Sequence, residues 1–314
     1  MMSGLNRRNL LRAGMAGGLC MATRGFGVWE AGAWAASASV DRTDLRDGAA
    51  VFSIGGSNVL VVPGPDGLIM VDTGPMGSGP ALLKAIDAFS GKAPIHAAFN
   101  THWHYDQTGG NEAVRKRGVD LISHENTKLW LGGDFYVKWE ERRYRPRPEA
   151  ALPNKTFYDG GSMQVGDETV TYANLFQAHT DGDIYVHFPR RNILAVGGLL
   201  SAKGYPILDY STGGWIGGMA KANEALLALA DDETVIICES GAIQNKAHLQ
   251  AQHDMLTTVT ERMKGMAQKG FSAEDMLNGG ATDGFDEKWG DPTAFITMAY
   301  QGLVNHTYDL GGFI

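Results

Sequence analysis

Ala97-Ala98-Phe99-Asn100-Thr101-His102-Trp103-His104-Tyr105-Asp106-Gln107-Thr108-Gly109-Gly110 joins an apolar run to two histidines spaced two apart. Residues 95–99 read as a buried strand that ends at Asn100-Thr101, so the residues after it sit at the mouth of a sheet. In an extended segment, residues two apart point the same way. His102 and His104 therefore aim their imidazoles at one point, with Asp106 next in the row. Neutral imidazole is a good zinc ligand, and three protein ligands with an open position make a catalytic rather than a structural site. The third nitrogen is offered by Gln177-Ala178-His179-Thr180-Asp181-Gly182-Asp183, where a histidine ends an apolar run inside a turn rich in Asp and Gly.

Outward from these two segments the chain repeats one plan, strands followed by a helix. Residues 51–54, 58–62 and 68–71 are β-rich runs separated by Gly55-Gly56-Ser57 and Pro63-Gly64-Pro65-Asp66-Gly67. Asp72-Thr73-Gly74 closes the third run, and Asp72 either begins a turn or orients a metal ligand from behind. Residues 80–89 read as a helix with Leu82, Leu83, Ile86 and Phe89 on one stripe. After the histidine motif, residues 111–116 look helical, 119–123 extended and 125–131 helical, the alternation of an α/β architecture. Residues 138–148, with Arg142, Arg143, Arg145 and Arg147, break that rhythm and form either a solvated loop or a lid for an anionic substrate group. A second meander starts at Gly161, followed by helical patterns over 220–230 and 245–267 and a helical C-terminal extension over 272–314.

The opening 38 residues stand apart from this pattern. Asn6-Arg7-Arg8-Asn9-Leu10-Leu11-Arg12 places a twin arginine before a weakly apolar stretch, and Ala36-Ser37-Ala38 supplies small residues for cleavage. The segment resembles a Tat-type signal peptide (1–38), which implies a periplasmic protein exported by the Tat pathway and a mature domain over 39–314. Its glycines and Arg12 make it too short and polar for a membrane span. The formal net charge is -8, and removal of Arg7, Arg8, Arg12, Arg24 and Glu30 makes the mature chain more acidic still. Such a body is expected to bind neither nucleic acid nor an anionic membrane. Of the 2 cysteines, Cys20 leaves with the signal, so Cys238 has no intramolecular disulfide partner.

Val71-Asp72-Thr73-Gly74, Asn100-Thr101-His102-Trp103-His104-Tyr105-Asp106 and His179-Thr180-Asp181-Gly182-Asp183 together resemble the metallo-β-lactamase superfamily, and Asp209-Tyr210-Ser211-Thr212-Gly213-Gly214-Trp215 resembles one exported branch of it. The resemblance implies an αββα sandwich, two mixed β-sheets flanked by helices, with the site at one edge between the sheets. It also implies a zinc hydrolase acting on lactams, lactones, thioesters, sulfate esters or phosphodiesters.

Departures from that pattern concern the second metal. Gln107 stands at the last position of His-x-His-x-Asp-His, Gly197-Gly198 replaces Gly-Asp after the strand at 193–196, and Cys238-Glu239-Ser240-Gly241 replaces Pro-Gly-His-Gly. First-site residues His102, His104 and His179 remain, and Asp106 alone is left of the second. Without a bridging carboxylate the repulsion between two dications is poorly compensated. One zinc is therefore expected; two would require Gln107, Glu239 or Cys238 as substitute ligands.

The function expected from these residues is hydrolysis of a carbonyl-type bond (lactam, lactone or ester) in a small-molecule substrate by zinc-activated water. Asp106 serves as the proton acceptor and metal neighbour, and Asp72 holds a ligand histidine. The alternative is a catalytically lapsed member that binds a ligand or a protein partner in the periplasm. Lys203, Tyr205 and Tyr210, in the glycine- and aromatic-rich connection 201–215, are candidates to reach a substrate, though loop aromatics also serve to fasten a loop to the core. Oligomeric state is left open by the sequence.

Overall fold

The computed structural model of the chain describes residues 39–309; the twin-arginine segment lies outside them. The first sheet begins as an antiparallel meander of β1 (Val40–Asp44), β2 (Ala50–Ile54), β3 (Ser57–Gly64) and β4 (Gly67–Val71). It continues in parallel through β5 (Ile95–Phe99) and β6 (Asp120–His124) to β9 (Lys155–Phe157). Between them β7 (Phe135–Val137) and β8 (Arg142–Tyr144) form a separate hairpin. The second sheet runs β10 (Gly160–Val165), β11 (Glu168–Asn174), β12 (Ile184–Phe188) and β13 (Ile193–Gly197), all antiparallel, with β14 (Val235–Cys238) added in parallel.

Alternation along the strands sorts the apolar side chains into layers. Val51, Leu60, Val62, Ile69, Val71 and Phe99 of the first sheet meet Val186, Phe188, Ile193, Ala195 and Ile237 of the second. Their neighbours Ala50, Phe52, Val61 and Met70 face the other way, against Leu82, Leu83 and Ile86 of α1 (Gly79–Ser90). On the far face of the second sheet, Leu194, Val196, Ile236 and Cys238 pack on the helices Ile216–Leu229 and Lys246–Ala267. Met276, Trp289, Phe295 and Ala299 of the last helices join that same cluster. The layers are helix, sheet, sheet, helix, the αββα sandwich expected from the motifs.

Two local features differ from the sequence reading. Asp106 is not the third member of an extended row, because the chain turns into a short helix at Tyr105–Thr108 immediately after His104. Thr108 Oγ1 donates to the His104 carbonyl at 3.0 Å, and the Gln107 and Thr108 amides also bond to it. The arginine-rich segment 138–148 is partly regular, though Arg143 and Arg145 remain exposed. It supplies the turn and β8 of the β7–β8 hairpin, stapled by Asp134 to Arg143 and Arg145 at 2.7 Å each.

Candidate metal centre

The three histidines come from separate places and converge. His102 and His104 leave the end of β5 on the same side, while Trp103 between them points the opposite way into an apolar cluster with Leu131, Val137 and Tyr144. His179 sits in the connection from β11 to β12. The Asp183 carboxylate holds it there, accepting from the amides of His179 (2.7 Å) and Thr180 (2.8 Å) and from Thr180 Oγ1 (2.7 Å). One nitrogen from each of the three rings lies within 4.8 Å of those from the other two, and the side chains are buried.

In every ring the other nitrogen is already engaged. His179 Nδ1 is 2.9 Å from the Ile207 carbonyl, which only accepts, so this nitrogen carries the proton. His104 Nε2 donates to Asp209 Oδ2 at 3.2 Å. His102 Nδ1 is 3.0 Å from Thr101 Oγ1, and that hydroxyl spends its own proton on Asp72 Oδ2 at 2.8 Å, so it accepts from the ring. This leaves His102 Nε2, His104 Nδ1 and His179 Nε2 as the three nitrogens aimed inward, the last two 3.1 Å apart and sharing a proton that a metal would displace. His102 Nε2 is buried with no hydrogen-bond partner. Orientation of metal-binding imidazoles by such outer partners is the usual way a site of this kind is built.

Electrostatics separate the rings. Burial pushes His102 well below the ordinary imidazole value, and the neighbouring His179 and His104 add to the shift. His179 is lowered for the same leading reason. His104 is also opposed by burial, but the hydrogen bond and charge of Asp209 override it and raise the ring to about 9. Asp209 itself is fully buried; burial would raise it, but His104, Thr212 and Trp139 hold it below the usual carboxylate range. Its partners are specific: Trp139 Nε1 donates at 2.8 Å and Thr212 Oγ1 at 2.6 Å. Asp72 is pushed by burial up to about 8 despite two bonds from Thr101.

The opposite side of the centre is built differently. A Cβ on Gly198 would fall 2.4 Å from His179 Cδ2, and one on Gly197, whose φ is +54°, would fall 2.4 Å from Thr101 Oγ1. The ring of His179 thus occupies the space a side chain at 198 would need. Asp106 is half-buried, outside the group of three nitrogens, and its Oδ2 accepts from Gln107 Nε2 at 3.2 Å. Gln107 also donates to the Glu239 carbonyl, while its Oε1 is buried without a partner. The Glu239 carboxylate reaches the centre, with Oε2 3.4 Å from His102 Nε2 and 3.7 Å from His179 Nε2. Burial and the charge of Asp106 raise this carboxyl above its ordinary range. Cys238 faces away, buried in the apolar core on the far face of the second sheet, and its thiol is pushed up by that burial.

The weaker substrate candidates Lys203, Tyr205 and Tyr210 have contacts of their own. Tyr205 donates to Asp286 Oδ1 at 2.7 Å and stacks on Phe295, fastening its loop to the C-terminal helices. Lys203 is exposed. Tyr210 lines a cavity of about 420 Å³ with Trp215 and His306. The sequence reading missed Asp209, Thr101 and Trp139 as supports of the histidines. Asp209 was visible only as part of a branch-like motif, and Trp139 only as one aromatic in a charged stretch.

Comparison with known proteins bears on fold and family. Residues 53–238 match the family described as the metallo-beta-lactamase superfamily. A solved metallo-beta-lactamase from Pontibacter korlensis superposes with a TM-score of 0.56 at 21% identity, covering 70% of this chain and 99% of its own. The stereoselective inverting sec-alkylsulfatase Pisa1 from Pseudomonas sp. gives a TM-score of 0.70 at 15% identity, covering 87% of this chain and 55% of that one. The BLEG-1 B3 metallo-beta-lactamase gives 0.55 at 17% identity, with 70% and 100% covered. At these identities the likeness to solved structures is one of fold. No curated protein sequence matches the chain.

Proposed function

Because the chain belongs to the metallo-beta-lactamase superfamily, we propose that it is a hydrolase using one zinc ion, held by His102 Nε2, His104 Nδ1 and His179 Nε2. A single observation carries this reading: three buried rings each commit one nitrogen to a fixed acceptor and turn the other toward a common point. Nitrogen ligands and a buried, unpartnered His102 Nε2 suit zinc. Bound there, zinc supplies Lewis acidity and lowers the pKa of a water from 15.7 to about 7.

The chain's own residues do the rest. Thr101 and Asp72 fix the plane of His102, and Asp209 fixes that of His104. Asp106, half-buried beside the triad, takes a proton from water and passes it to the leaving group. The bond attacked is of the carbonyl type, in a lactam, lactone or ester. Export to a bacterial periplasm by the Tat pathway belongs to the same proposal and rests on Asn6 to Arg12 and Ala36-Ser37-Ala38.

The test is a panel of esters, lactones, β-lactams and sulfate esters assayed with the metal-loaded protein, after chelation and after return of zinc. Turnover of a carbonyl substrate that disappears with chelator and comes back with zinc is the expected result. A loaded protein that turns over nothing, yet holds a ligand equally well with and without metal, would mean a binding protein.

A further inference from the structure

Glu239 brings its carboxylate to the inward nitrogens of His102 and His179. Its Cα is fixed by three bonds: its amide donates to the Gly197 carbonyl at 3.0 Å, and its carbonyl accepts from the Asn58 amide (2.8 Å) and Gln107 Nε2 (3.2 Å). β13 and β14 are parallel neighbours paired Gly197 with Cys238. Glu239 therefore emerges beside Gly197-Gly198, the pair with no side chains. The side chain is 19% exposed. Among the described residues no amide, hydroxyl, Lys or Arg donates to its carboxylate, whose polar neighbours are the inward nitrogens of His102 and His179.

A mostly buried carboxylate without a donor, next to a buried imidazole nitrogen without a partner, lacks a cation. The distances say where the cation belongs. Zinc–nitrogen and zinc–oxygen bonds of 2.0–2.1 Å in a tetrahedron place neighbouring ligand atoms about 3.3 Å apart. Three separations come near that value, 3.1 Å for His104 Nδ1 to His179 Nε2, 3.4 Å for Glu239 Oε2 to His102 Nε2 and 3.7 Å for Glu239 Oε2 to His179 Nε2, while the three histidine nitrogens spread over up to 4.8 Å and would draw together on a metal.

We propose that Glu239 is a fourth protein ligand of the single metal, making a His3Glu centre, and not a ligand of a second metal. This rests on the reading of His102, His104 and His179 as the metal site. A carboxylate from the end of β14 then supplies, through a longer side chain, the negative charge that the crowded Gly198 cannot carry. With Glu239 bound as well, water or substrate would have to enter as a further ligand, which zinc tolerates.

The test is titration of the purified, metal-stripped protein with Co2+, followed by its visible absorption, and with Zn2+ in competition with a chromophoric chelator. Wild type, Glu239→Ala, Glu239→Gln and Asp106→Ala are compared, with circular dichroism of the stripped forms as the control for folding. Wild type is expected to take up one Co2+. Glu239→Ala is expected to weaken metal binding at least about 100-fold, the upper end of what loss of an outer partner costs, and to change the Co2+ spectrum. Glu239→Gln should fall between the two, and Asp106→Ala should keep the wild-type spectrum. Unchanged affinity and spectrum in folded Glu239→Ala would overturn the assignment, as would a stoichiometry falling from two to one. A wild type that takes up no metal would remove the triad reading beneath it. One that binds metal through Glu239 and hydrolyses nothing would refute the proposed reaction alone.

Discussion

The two sides of the metal centre are built to different standards. On one, His102, His104 and His179 each have a dedicated acceptor behind the ring, namely Thr101 backed by Asp72, Asp209, and the Ile207 carbonyl. On the other, Gly197 and Gly198 offer no side chain, Gln107 offers only an amide, and Asp106 is tied to Gln107. A site drifting under no constraint would loosen on both sides. Here the outer partners of one set of ligands are intact over separations of up to 105 residues in sequence, while the opposite side has closed by packing. The difference is the one expected of the proposed centre for a single metal.

The sharpest way to break the comparison is Gly198→Asp, which puts a carboxylate on the side that has no side chain at 197 and 198. A Cβ there would lie within 2.4 Å of the His179 ring, so the ring must move or the backbone must shift, an overpacking cost of about 1–3 kcal/mol. The variant is expected to lose most of the first metal and gain no second, read by elemental mass spectrometry. Recovery of two metals would show that both sides are equally competent.

Next in size is Asp209→Asn, which keeps the shape but removes the charge behind His104. Loss of such an outer partner typically weakens metal binding about 10–100-fold. The same residue sets a pH dependence whose sign can be worked out. The folded-state pKa of His104, about 9, lies above the ordinary 6.5. In the metal-free protein the His104–Asp209 pair therefore stabilises fully below about 6.5 and loses that contribution as pH rises through about 9. Metal competes for the Nδ1 proton, so apparent affinity moves the opposite way and rises across this window. Subtracting Asp209→Asn from wild type, in melting temperature of the stripped protein and in metal affinity from about pH 6 to about pH 10, isolates both slopes. Identical slopes in the two proteins would contradict the assignment.

The smallest effect tests how far the support extends. Trp139→Phe removes one donor to Asp209 while keeping most of the ring. A hydrogen bond to a charged group contributes about 1.5–3 kcal/mol, and Ser211 and Thr212 still donate to this carboxylate. About a tenfold loss of metal affinity, with the fold preserved, is expected from chelator competition. No change would confine the support to residues flanking Asp209 in sequence.

How much of the centre a sequence carries depends on how local each interaction is. His102, His104 and His179 were legible because strand alternation and a turn rich in Asp and Gly fix side-chain direction locally. The αββα layers followed from short apolar runs with alternating faces. Asp209 was not legible as a support, since nothing local says that a buried aspartate from a distant part of the chain meets His104. Trp139 was hidden for the same reason: a stretch with four arginines reads as solvated, yet its aromatics pack on Trp103 and its indole reaches Asp209. Glu239 was visible only as a possible substitute, because its distance to the histidines depends on how β13 and β14 align. Asp106 was read as the third of an extended row; helix formation at Tyr105 takes it out of that row but leaves its charge close to His104 and Glu239.

The most direct measurement is the metal content of the purified protein, by elemental mass spectrometry, for wild type and His104→Ala. Close to one zinc per chain, absent from the variant, is the predicted result. Two metals in wild type, or an undiminished metal in His104→Ala, would contradict a single centre built on the three histidines.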